Sequence, residues 1–522
     1  MRTNTKFIEK IVTSIAFIYY FILSLFKLTT VPIWQDEAAE YYCAITDYGP
    51  IKGVSDFVTM YERGISIQQQ PPLYTWILIP WIKIRQDEYW LRLLGVILVF
   101  IGVIAIYKIM NKIAGVYLAS FSVVIYSSIY ILQYYVKEAS EYSLLLPIVA
   151  WLIYYFLKNN EKPVLKNVII FTILCVAAVY THYGAAFVVI PMALQQWFIY
   201  YKQKDIKILK IAIISEMIAA IAAGIPLLYY YLIPQTSNPV STISSDIKIE
   251  ITGNNIILDF FDSLMWVLRW NISDYNRDGQ RFTIFYWFLL AILIVITVFV
   301  YVKSNNIHLK RLLVCNCFSY FIYYVVTTLT FYAYGWFGNR YNLFLFNTWF
   351  VAIIWTFVEL VKVLKASKKV LLQKAGKILR ICLIVIGCIY SIYGVKRVND
   401  HWDKMDLRTV IQYWYENDCK DTATIVDVAQ RYSFTYYLTQ NESFDESLWN
   451  NINCLVDASV SLYSTEEMAE YIVDNVYNSQ MPESIFVVTG DYQTLMQAFE
   501  QLGYQSELVV DSTSNMYYVY KK

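Results

Sequence analysis

Long apolar runs separated by short polar connections fill the first 398 residues of the chain. A helix of about 20 apolar residues is long enough to cross a bilayer, and most of the runs approach or reach that length. The runs lie near residues 11–31, 72–84, 90–110, 115–135, 142–157, 166–180, 183–201, 208–233, 283–302, 312–332, 341–364 and 379–395. This pattern predicts a polytopic α-helical membrane domain over residues 1–398, with about 11 to 13 membrane helices.

From residue 399 onward the pattern changes to short β-rich runs that alternate with helical stretches. The β-rich runs are 424–428, 485–489, 508–511 and 516–520, and the helical stretches include 465–476 and 492–502. Alternation of short strands with helices is typical of an α/β domain. We therefore expect a water-soluble α/β domain over residues 399–522.

Basic residues indicate the sidedness of the membrane domain. Lys and Arg concentrate in the N-terminus and in the connections 108–112, 158–166, 202–210, 303–311 and 362–380. The positive-inside rule assigns these segments to the cytoplasm, which holds only if the run at 72–84 does not cross completely. That run is about 20 Å long as a helix, against a hydrocarbon core of about 30 Å. The N-terminus is then cytoplasmic, and the C-terminal domain of this multi-pass cell-membrane protein lies on the outer side.

Composition narrows the functional classes. Hydrophobic residues make up 58% of the chain and charged residues 16%, against about 45–50% and about 25% in soluble domains. The net charge of +1 gives no reason to expect a nucleic-acid partner. The eight cysteines show no CxxC or Cys/His spacing. We expect neither a metal nor another cofactor.

The predicted outer loop 34–71 begins at Trp34 and carries two adjacent carboxylates, Asp36 and Glu37, two and three residues further on. In a site screened from water, one carboxylate would have its pKa raised by burial and by its neighbour, which suits a general base that deprotonates a hydroxyl. The alternative is a solvated helix start, in which both acids interact favourably with the N-terminal end of the helix dipole. The sequence leaves both interpretations open.

Other polar residues fall in predicted outward connections. They are Gln70 before Pro71-Pro72-Leu73-Tyr74, Lys137-Glu138 with Glu141 and Tyr142, Tyr180-Thr181-His182-Tyr183, and Arg340-Tyr341. Each has a structural alternative: the prolines can form a hinge, the histidine can be a packing residue, and the arginine can snorkel to the interface. Together they place acids, a histidine and an arginine on one membrane face, which suits an anionic substrate.

In its order of motifs the chain resembles the GT-C membrane glycosyltransferases, in the group of protein O-mannosyltransferases and bacterial aminoarabinose transferases. That group has an acidic pair after the first span, a His-Pro-Pro-Leu-Tyr element, an Arg before the next long span, a Gln-Glu-Ala-Arg-x-Tyr turn, a Tyr-Thr-His-Tyr turn and a late Arg-Tyr. The corresponding residues here are Asp36-Glu37, Gln70 to Tyr74, Arg92, Lys137 to Tyr142, Tyr180 to Tyr183, and Arg340-Tyr341. Gln70 replaces the histidine of the group, and Ser140 stands in place of its arginine.

The resemblance implies inverting transfer of a sugar from a polyprenyl-phosphate-linked donor to a glycan, lipid or protein acceptor on the outer face. Asp36 would be the base and Glu37 would assist it. Arg340, Lys137 and Arg92 would bind the donor phosphate. The substrate contacts would come from Gln70, Glu138, Tyr142, His182, Tyr183 and Tyr341.

Two other classes remain open. One is a transporter or flippase of lipid-linked sugars, although no inverted repeat is visible and the charged residues cluster at one face instead of the midplane. The other is a non-catalytic membrane scaffold that carries a binding domain. Substitution of Asp36 discriminates, because only an enzyme of the predicted kind needs that carboxylate.

Overall fold

A computed structural model describes residues 2–45, 71–229, 233, 256–272, 283–329, 340–400, 406–427, 430–455, 463–490, 493–511 and 514–521. The chain forms two compact units. The membrane unit comprises Met1–Phe26, Gln69–Leu232 and Lys248–His401. The C-terminal unit comprises Lys27–Gln68, Ile233–Ile247 and Trp402–Lys522.

Apolar helices make up the described part of the membrane unit. They are α1 (Arg2–Leu25), α3 (Leu73–Ile82), α4 (Glu88–Ala114), α5 (Val116–Ser127), α6 (Tyr130–Val136), α7 (Tyr142–Glu161), α8 (Leu165–Thr181), α9 (Ala186–Lys202), α10 (Ile206–Leu227), α11 (Ile256–Ile272), α12 (Thr283–Lys303), α13 (Ile307–Leu329), α14 (Phe346–Lys365) and α15 (Val370–Asp400). By length and composition, 9 helices in the described residues can each cross a membrane, or 10 if α5 and α6 form one bent span.

Helices α5 and α6 meet at an angle of 71°. The Ser128 hydroxyl donates to the carbonyl of Val124 at 2.8 Å, a side-chain bond that competes with the helix ladder and favours bending. At this point α15 approaches so closely that a Cβ on Gly394 would lie 2.0 Å from the carbonyl oxygen of Ser128. A glycine is therefore required where the two helices touch.

The predicted short segment at 72–84 forms helix α3, which has 10 residues. At 1.5 Å per residue it is about 15 Å long, about half of the hydrocarbon thickness. Trp81 of α3 and Trp90 of α4 stack with ring centroids 4.3 Å apart, and each indole N–H donates to the other residue's carbonyl. This paired contact fixes the angle at which α3 joins the next span.

Helix α11 lies between the apolar runs at 208–233 and 283–302, where the sequence pattern predicts no membrane helix. Its charged residues Asp259, Asp262 and Arg269 keep it below the hydropathy of a spanning segment. It is nevertheless a helix because Met265 and Leu268 pack against Tyr286 and Leu290 of α12. Tertiary packing, which a hydropathy window does not detect, stabilises this element.

The C-terminal unit begins with α2 (Gln35–Ile45) and continues after the membrane unit with an α/β fold. Its further elements are α16 (Leu407–Glu416), β1 (Ala423–Val426), α17 (Arg431–Thr439), β2 (Ile452–Cys454), α18 (Thr465–Tyr471), β3 (Ser484–Thr489), α19 (Gln493–Gln501), β4 (Tyr504–Val510) and β5 (Asn515–Lys521). Strand β1 pairs in parallel with β2 and β3, and β5 lies antiparallel between β3 and β4, giving the order β2-β1-β3-β5-β4.

The sheet is covered on both faces because its strands alternate their buried side chains. Ile425, Ile485 and Val487 pack against Met468 and Phe499 from the helices on one face. On the other face, the indole N–H of Trp414 donates to Thr424 at 3.1 Å. The predicted fold class, a polytopic helical membrane domain followed by an α/β domain, is confirmed.

Candidate functional site

The acidic pair lies in the first turn of α2, in the C-terminal unit. Glu37 is fully buried, and its carboxylate accepts a hydrogen bond from the backbone N–H of Trp34 at 3.4 Å. Asp36 is half-buried. Glu37 thus returns to the residue before the helix and satisfies one of its initial N–H groups, as a capping acid does. The two neighbouring carboxylates therefore have different surroundings, and Asp36 is the more accessible one.

A third carboxylate, Glu40, lies on the same side of α2. It follows Glu37 by three residues and Asp36 by four, which places it one helical turn further along. It is only 2% exposed. Glu40 is not among the predicted site residues, although its spacing from the acidic pair was a signal in the sequence. Two buried acids, Glu37 and Glu40, therefore accompany the more accessible Asp36 on this helix.

Helix α2 packs along α17 of the α/β fold. The side-chain oxygen of Gln35 accepts from the backbone N–H of Tyr432 at 3.1 Å. Gln440 donates to the Tyr41 hydroxyl at 3.2 Å, and the rings of Tyr41 and Tyr436 meet edge to face at 5.1 Å. Contacts at both ends of α2 fix its position against α17. The acidic residues therefore take their orientation from a helix about 400 positions later in the chain.

A buried, charged turn joins α6 to α7 in the membrane unit. Lys137 is 3% exposed, and its ammonium group donates to the carbonyl of Phe26 at 2.6 Å. Glu138 is fully buried. Helix α4 presses on this turn, because a Cβ on Gly95 would lie 2.7 Å from the carbonyl oxygen of Val136. The turn is therefore packed closely against α4. Charged residues of membrane proteins usually face the interior of the helix bundle in this way.

Arg92 is a second buried cation of the membrane unit, with 1% of its surface exposed. It precedes Gly95 by three residues and so lies on the same side of α4. That side faces the turn that contains Lys137 and Glu138. Arg92 therefore lies on the side of α4 that faces the turn with Lys137, another of the predicted phosphate-binding residues.

His182 ends helix α8 in an extended conformation and is 5% exposed. Its Nδ1 accepts from the backbone N–H of Gly184 at 3.0 Å, which leaves the proton of the neutral ring on Nε2. Nε2 has no hydrogen-bond partner in the described part of the unit. The ring lies 5.5 Å from that of Tyr142 and 6.2 Å from that of Phe344. A buried N–H donor is therefore available between aromatic rings.

Gly184 permits this packing. A Cβ at this position would lie 2.6 Å from the ring of Phe344 and 3.0 Å from Nδ1 of His182. A side chain of any size would separate the histidine loop from the segment that follows Arg340. The Tyr-Thr-His-Tyr motif thus continues into a glycine for a steric reason.

Arg340 begins a 3₁₀-helix (Arg340–Leu345) and is half-buried. Burial, and then the positive charge of Arg340, lower the pKa of His182 to about 4. Both effects disfavour a charged imidazole, so His182 is neutral at physiological pH. Arg340 and His182 therefore lie within electrostatic reach of each other.

Three predicted contact residues remain to be placed: Tyr183, Tyr341 and Gln70. Tyr183 is half-buried next to His182, and Tyr341 continues the 3₁₀-helix after Arg340. Gln70 lies outside the described residues, and the prolines that follow it, Pro71 and Pro72, are buried. Over the described ranges of the chain, no group of three or more His, Cys, Asp or Glu residues is placed to hold a metal ion.

Part of the chain that contains these polar residues matches a known protein family. Residues 69–230 match the family model of dolichyl-phosphate-mannose-protein mannosyltransferases. The match confirms the resemblance to GT-C membrane glycosyltransferases that the order of motifs predicted. It covers about a third of the chain and includes Gln70, Arg92, the turn at Lys137 and His182. The acidic pair and Arg340 lie outside the matched stretch.

Solved structures with a similar course of the chain include two membrane glycosyltransferases. One is ArnT from Cupriavidus metallidurans bound to undecaprenyl phosphate, with 10% identity, 98% of this chain and 97% of that chain covered, and a TM-score of 0.46. The other is the oligosaccharyltransferase AglB from Archaeoglobus fulgidus in complex with an inhibitory peptide and a dolichol-phosphate, with 11% identity, 99% and 75% covered, and a TM-score of 0.49. A comparison with curated proteins gives no significant match.

Proposed function

We propose that this chain is a membrane glycosyltransferase that takes a sugar from a polyprenyl-phosphate-linked donor and transfers it to an acceptor on the outer face of the cell membrane. The observation that carries the proposal is the family match over 69–230. That stretch contains the buried cations Arg92 and Lys137 and the buried donor of His182. These groups suit an anionic, sugar-bearing ligand.

The reaction forms one bond and breaks one. The acceptor hydroxyl oxygen attacks the anomeric carbon, the bond from that carbon to the phosphate oxygen breaks, and the configuration inverts. Asp36 takes the hydroxyl proton, since it is the more accessible of the two adjacent acids. Glu37, already engaged with the backbone of Trp34, positions the turn that carries Asp36.

The polyprenyl phosphate leaves with its negative charge. A cation aimed at its oxygens stabilises the transition state more than the ground state, because that charge grows as the bond breaks. We assign this role first to Arg340. Lys137 also contacts a backbone carbonyl, so we place it second, with Arg92. His182, Tyr142, Tyr183, Glu138, Gln70 and Tyr341 are assigned to the sugar and its surroundings.

The test is a transfer assay in membranes or detergent with radiolabelled polyprenyl-phosphate sugars. Wild type should move label to an acceptor, Asp36→Asn should move none, and Arg340→Ala should lose about 100-fold or more of the rate, as removal of a charge-stabilising group does. Asp418→Asn is a matched control, because Asp418 belongs to the same unit and its side chain is 83% exposed. Arg85→Ala, at a side chain 65% exposed, is the control for Arg340.

Loss of activity in Asp36→Asn with normal membrane insertion and normal activity in both controls supports the proposal. If folded wild type moves no label from any carrier in the lipid extract of its own cell, with the acceptors of that cell present, the proposal is wrong. Uptake or flipping of the label without covalent transfer would instead indicate a transporter.

A further inference from the structure

A groove opens on the surface of the membrane unit between helices α12 and α13. Its volume is about 480 Å³. Six exposed residues contribute most of its lining: Val298, Tyr301, Val314, Cys317, Phe318 and Phe321. We call it the α12–α13 groove. Because its walls are exposed side chains, the groove is open to the surroundings of the helix bundle.

The inner contacts of α13 lie on another face of the helix. Asn316 donates its amide N–H to the carbonyl of Thr348 in α14 at 3.0 Å. The rings of Tyr320 and Trp349 meet edge to face, with their centroids 5.8 Å apart. These contacts attach α13 to the bundle and leave the groove on the outer surface.

The lining and the length of the groove suit a hydrocarbon chain. None of its lining residues is charged. Along α13 the groove extends from Leu313 to Phe321, eight residues later, which is about 12 Å at the helical rise. One leaflet of the hydrocarbon core is about 15 Å thick. Both α12 and α13 are apolar and long enough to cross a membrane. The groove can therefore take most of one acyl chain.

Lys310 lies at the mouth of the groove. Val314, Cys317 and Phe321 follow it by 4, 7 and 11 residues, a spacing that places all four on one face of α13. Lys310 belongs to the first turn of this helix, in the predicted cytoplasmic connection 303–311. Its ammonium nitrogen is 5.4 Å from the ring centroid of Tyr301, across the groove on α12. The cation thus marks the polar end of an apolar groove.

No acid neutralises this cation within the described part of the chain. The neighbouring carboxylate of Glu359 is already engaged, since it accepts from the ammonium of Lys362 at 2.8 Å. It also accepts from Ser304 at 2.9 Å and from Asn306 at 3.2 Å. The charge of Lys310 therefore remains available to a ligand in the groove.

The combination of an apolar groove and one cation at its membrane-surface end selects an amphiphile with an anionic head. We propose that the α12–α13 groove binds an anionic phospholipid of the cytoplasmic leaflet, with its phosphate at Lys310 and an acyl chain along Val314 and Phe321. Basic pockets between membrane helices on the cytoplasmic side recognise lipid head groups in this way. The site does not depend on the proposed glycosyl transfer.

The head-group contact is tested by native mass spectrometry of the full chain, equilibrated with equal amounts of phosphatidylglycerol and phosphatidylcholine that carry the same acyl chains. Wild type should retain phosphatidylglycerol in preference. Lys310→Gln should reduce that preference about fivefold, which corresponds to about 1 kcal/mol for one cation at an anionic membrane surface. Lys310→Arg keeps the charge and should keep the preference.

Lys207→Gln is the matched control for charge, because Lys207 is exposed in the first turn of α10 in another predicted cytoplasmic connection. A lysine at a helix end can snorkel to any membrane surface, so only an effect confined to Lys310 supports a site. An equal loss of preference in Lys207→Gln would overturn the proposal. Equal retention of the two lipids by wild type, or an unchanged preference in Lys310→Gln, would also overturn it.

The acyl-chain contact is tested by filling the groove. Cys317→Trp should weaken the retention of both lipids, whereas Cys382→Trp, the same replacement at an exposed cysteine of α15, should not. Excess glycerol phosphate, which has the head-group anion without a chain, should displace neither lipid. The lipid site is refuted if the two tryptophan variants retain lipid equally, or if glycerol phosphate displaces phosphatidylglycerol, since that would indicate a site for a soluble anion.

Discussion

At the residue scale, the polar groups of the membrane unit owe their properties to burial. The sequence located Lys137, Glu138 and His182 through their motif order, and the structure adds that all three are at most 5% exposed. The sequence did not indicate which side-chain atoms would form hydrogen bonds within the protein. That Nδ1 of His182 accepts from Gly184 while Nε2 stays available depends on a turn whose geometry is set by the ring of Phe344.

His182 should remain neutral far below its ordinary pKa of about 6.5, since burial and Arg340 lower that pKa to about 4. In the unfolded chain the imidazole takes up its proton near pH 6.5. The unfolded state therefore binds more protons between pH 6.5 and 4, and the folded state loses stability as the pH falls through that window, by roughly 2 kcal/mol at pH 5.

Histidine-selective ¹⁵N NMR can measure this directly, because the chain has only 3 histidines. The signal that disappears in His182→Gln should show the tautomer protonated at Nε2 and should not titrate above about pH 4.5. The thermal midpoint of His182→Gln should fall less than that of wild type between pH 7 and 5. A His182 signal that titrates near pH 6.5 would show that the ring is solvated and not close to Arg340.

At the scale of elements, α2 shows what a local pattern can and cannot predict. Two acids after Trp34 are a recognisable helix start, and this was one of the two interpretations that the sequence left open for Asp36 and Glu37. The structure shows the helix, with Glu37 as its capping acid. The partner of α2 was not predictable from a local pattern, because α17 is separated from it by almost 400 residues.

Weakening the contact between α2 and α17 should loosen the acidic turn without disturbing the membrane helices. Tyr436→Ala removes the edge-to-face contact with Tyr41, which contributes about 0.5–1.5 kcal/mol beyond the buried area. Hydrogen exchange, followed by mass spectrometry, should increase in peptides from 35–45 and stay unchanged in α4 and α7. Transfer activity should fall in parallel.

Tyr413→Ala provides the comparison, since Tyr413 is a half-buried tyrosine of α16 in the same unit. It should leave exchange in 35–45 as in wild type. Unchanged exchange in Tyr436→Ala would mean that α2 is held by other contacts and that the ring pair is incidental. Faster exchange throughout the unit would mean that the substitution unfolds the α/β fold and does not act on α2 alone.

At the scale of the whole molecule, the periodic signals were sufficient for the fold class. Most apolar runs became helices, and the predicted strands 485–489 and 516–520 fall within β3 and β5. Two features were missed for physical reasons. Helix α11 carries too many charges to be found by hydropathy, and β2 has only 3 residues, so its place beside β1 follows from the crossover and not from its own sequence.

The orientation in the membrane is the last prediction, and it follows from charge. Lys and Arg in the connections on one side of the spans, such as Lys202 to Lys210, assign that side to the cytoplasm. Helix α3, at about 15 Å, is too short to cross alone and reverse that assignment. Alkaline phosphatase folds only where its disulfides can form, so a fusion after Lys522 should be active in a bacterial host.

A fusion after Lys204 should be inactive in the same host, and a fluorescent protein that folds in the cytoplasm should give the reverse pattern at both positions. Equal fusion levels, measured by immunoblot, are the control for expression. If the phosphatase is active after Lys204 and inactive after Lys522, the whole membrane domain is inverted and the positive-inside assignment fails, because α2 and α17 pack together and must lie on one side. Asp36 would then have to work on a cytoplasmic acceptor, and an outward-facing acceptor would be excluded.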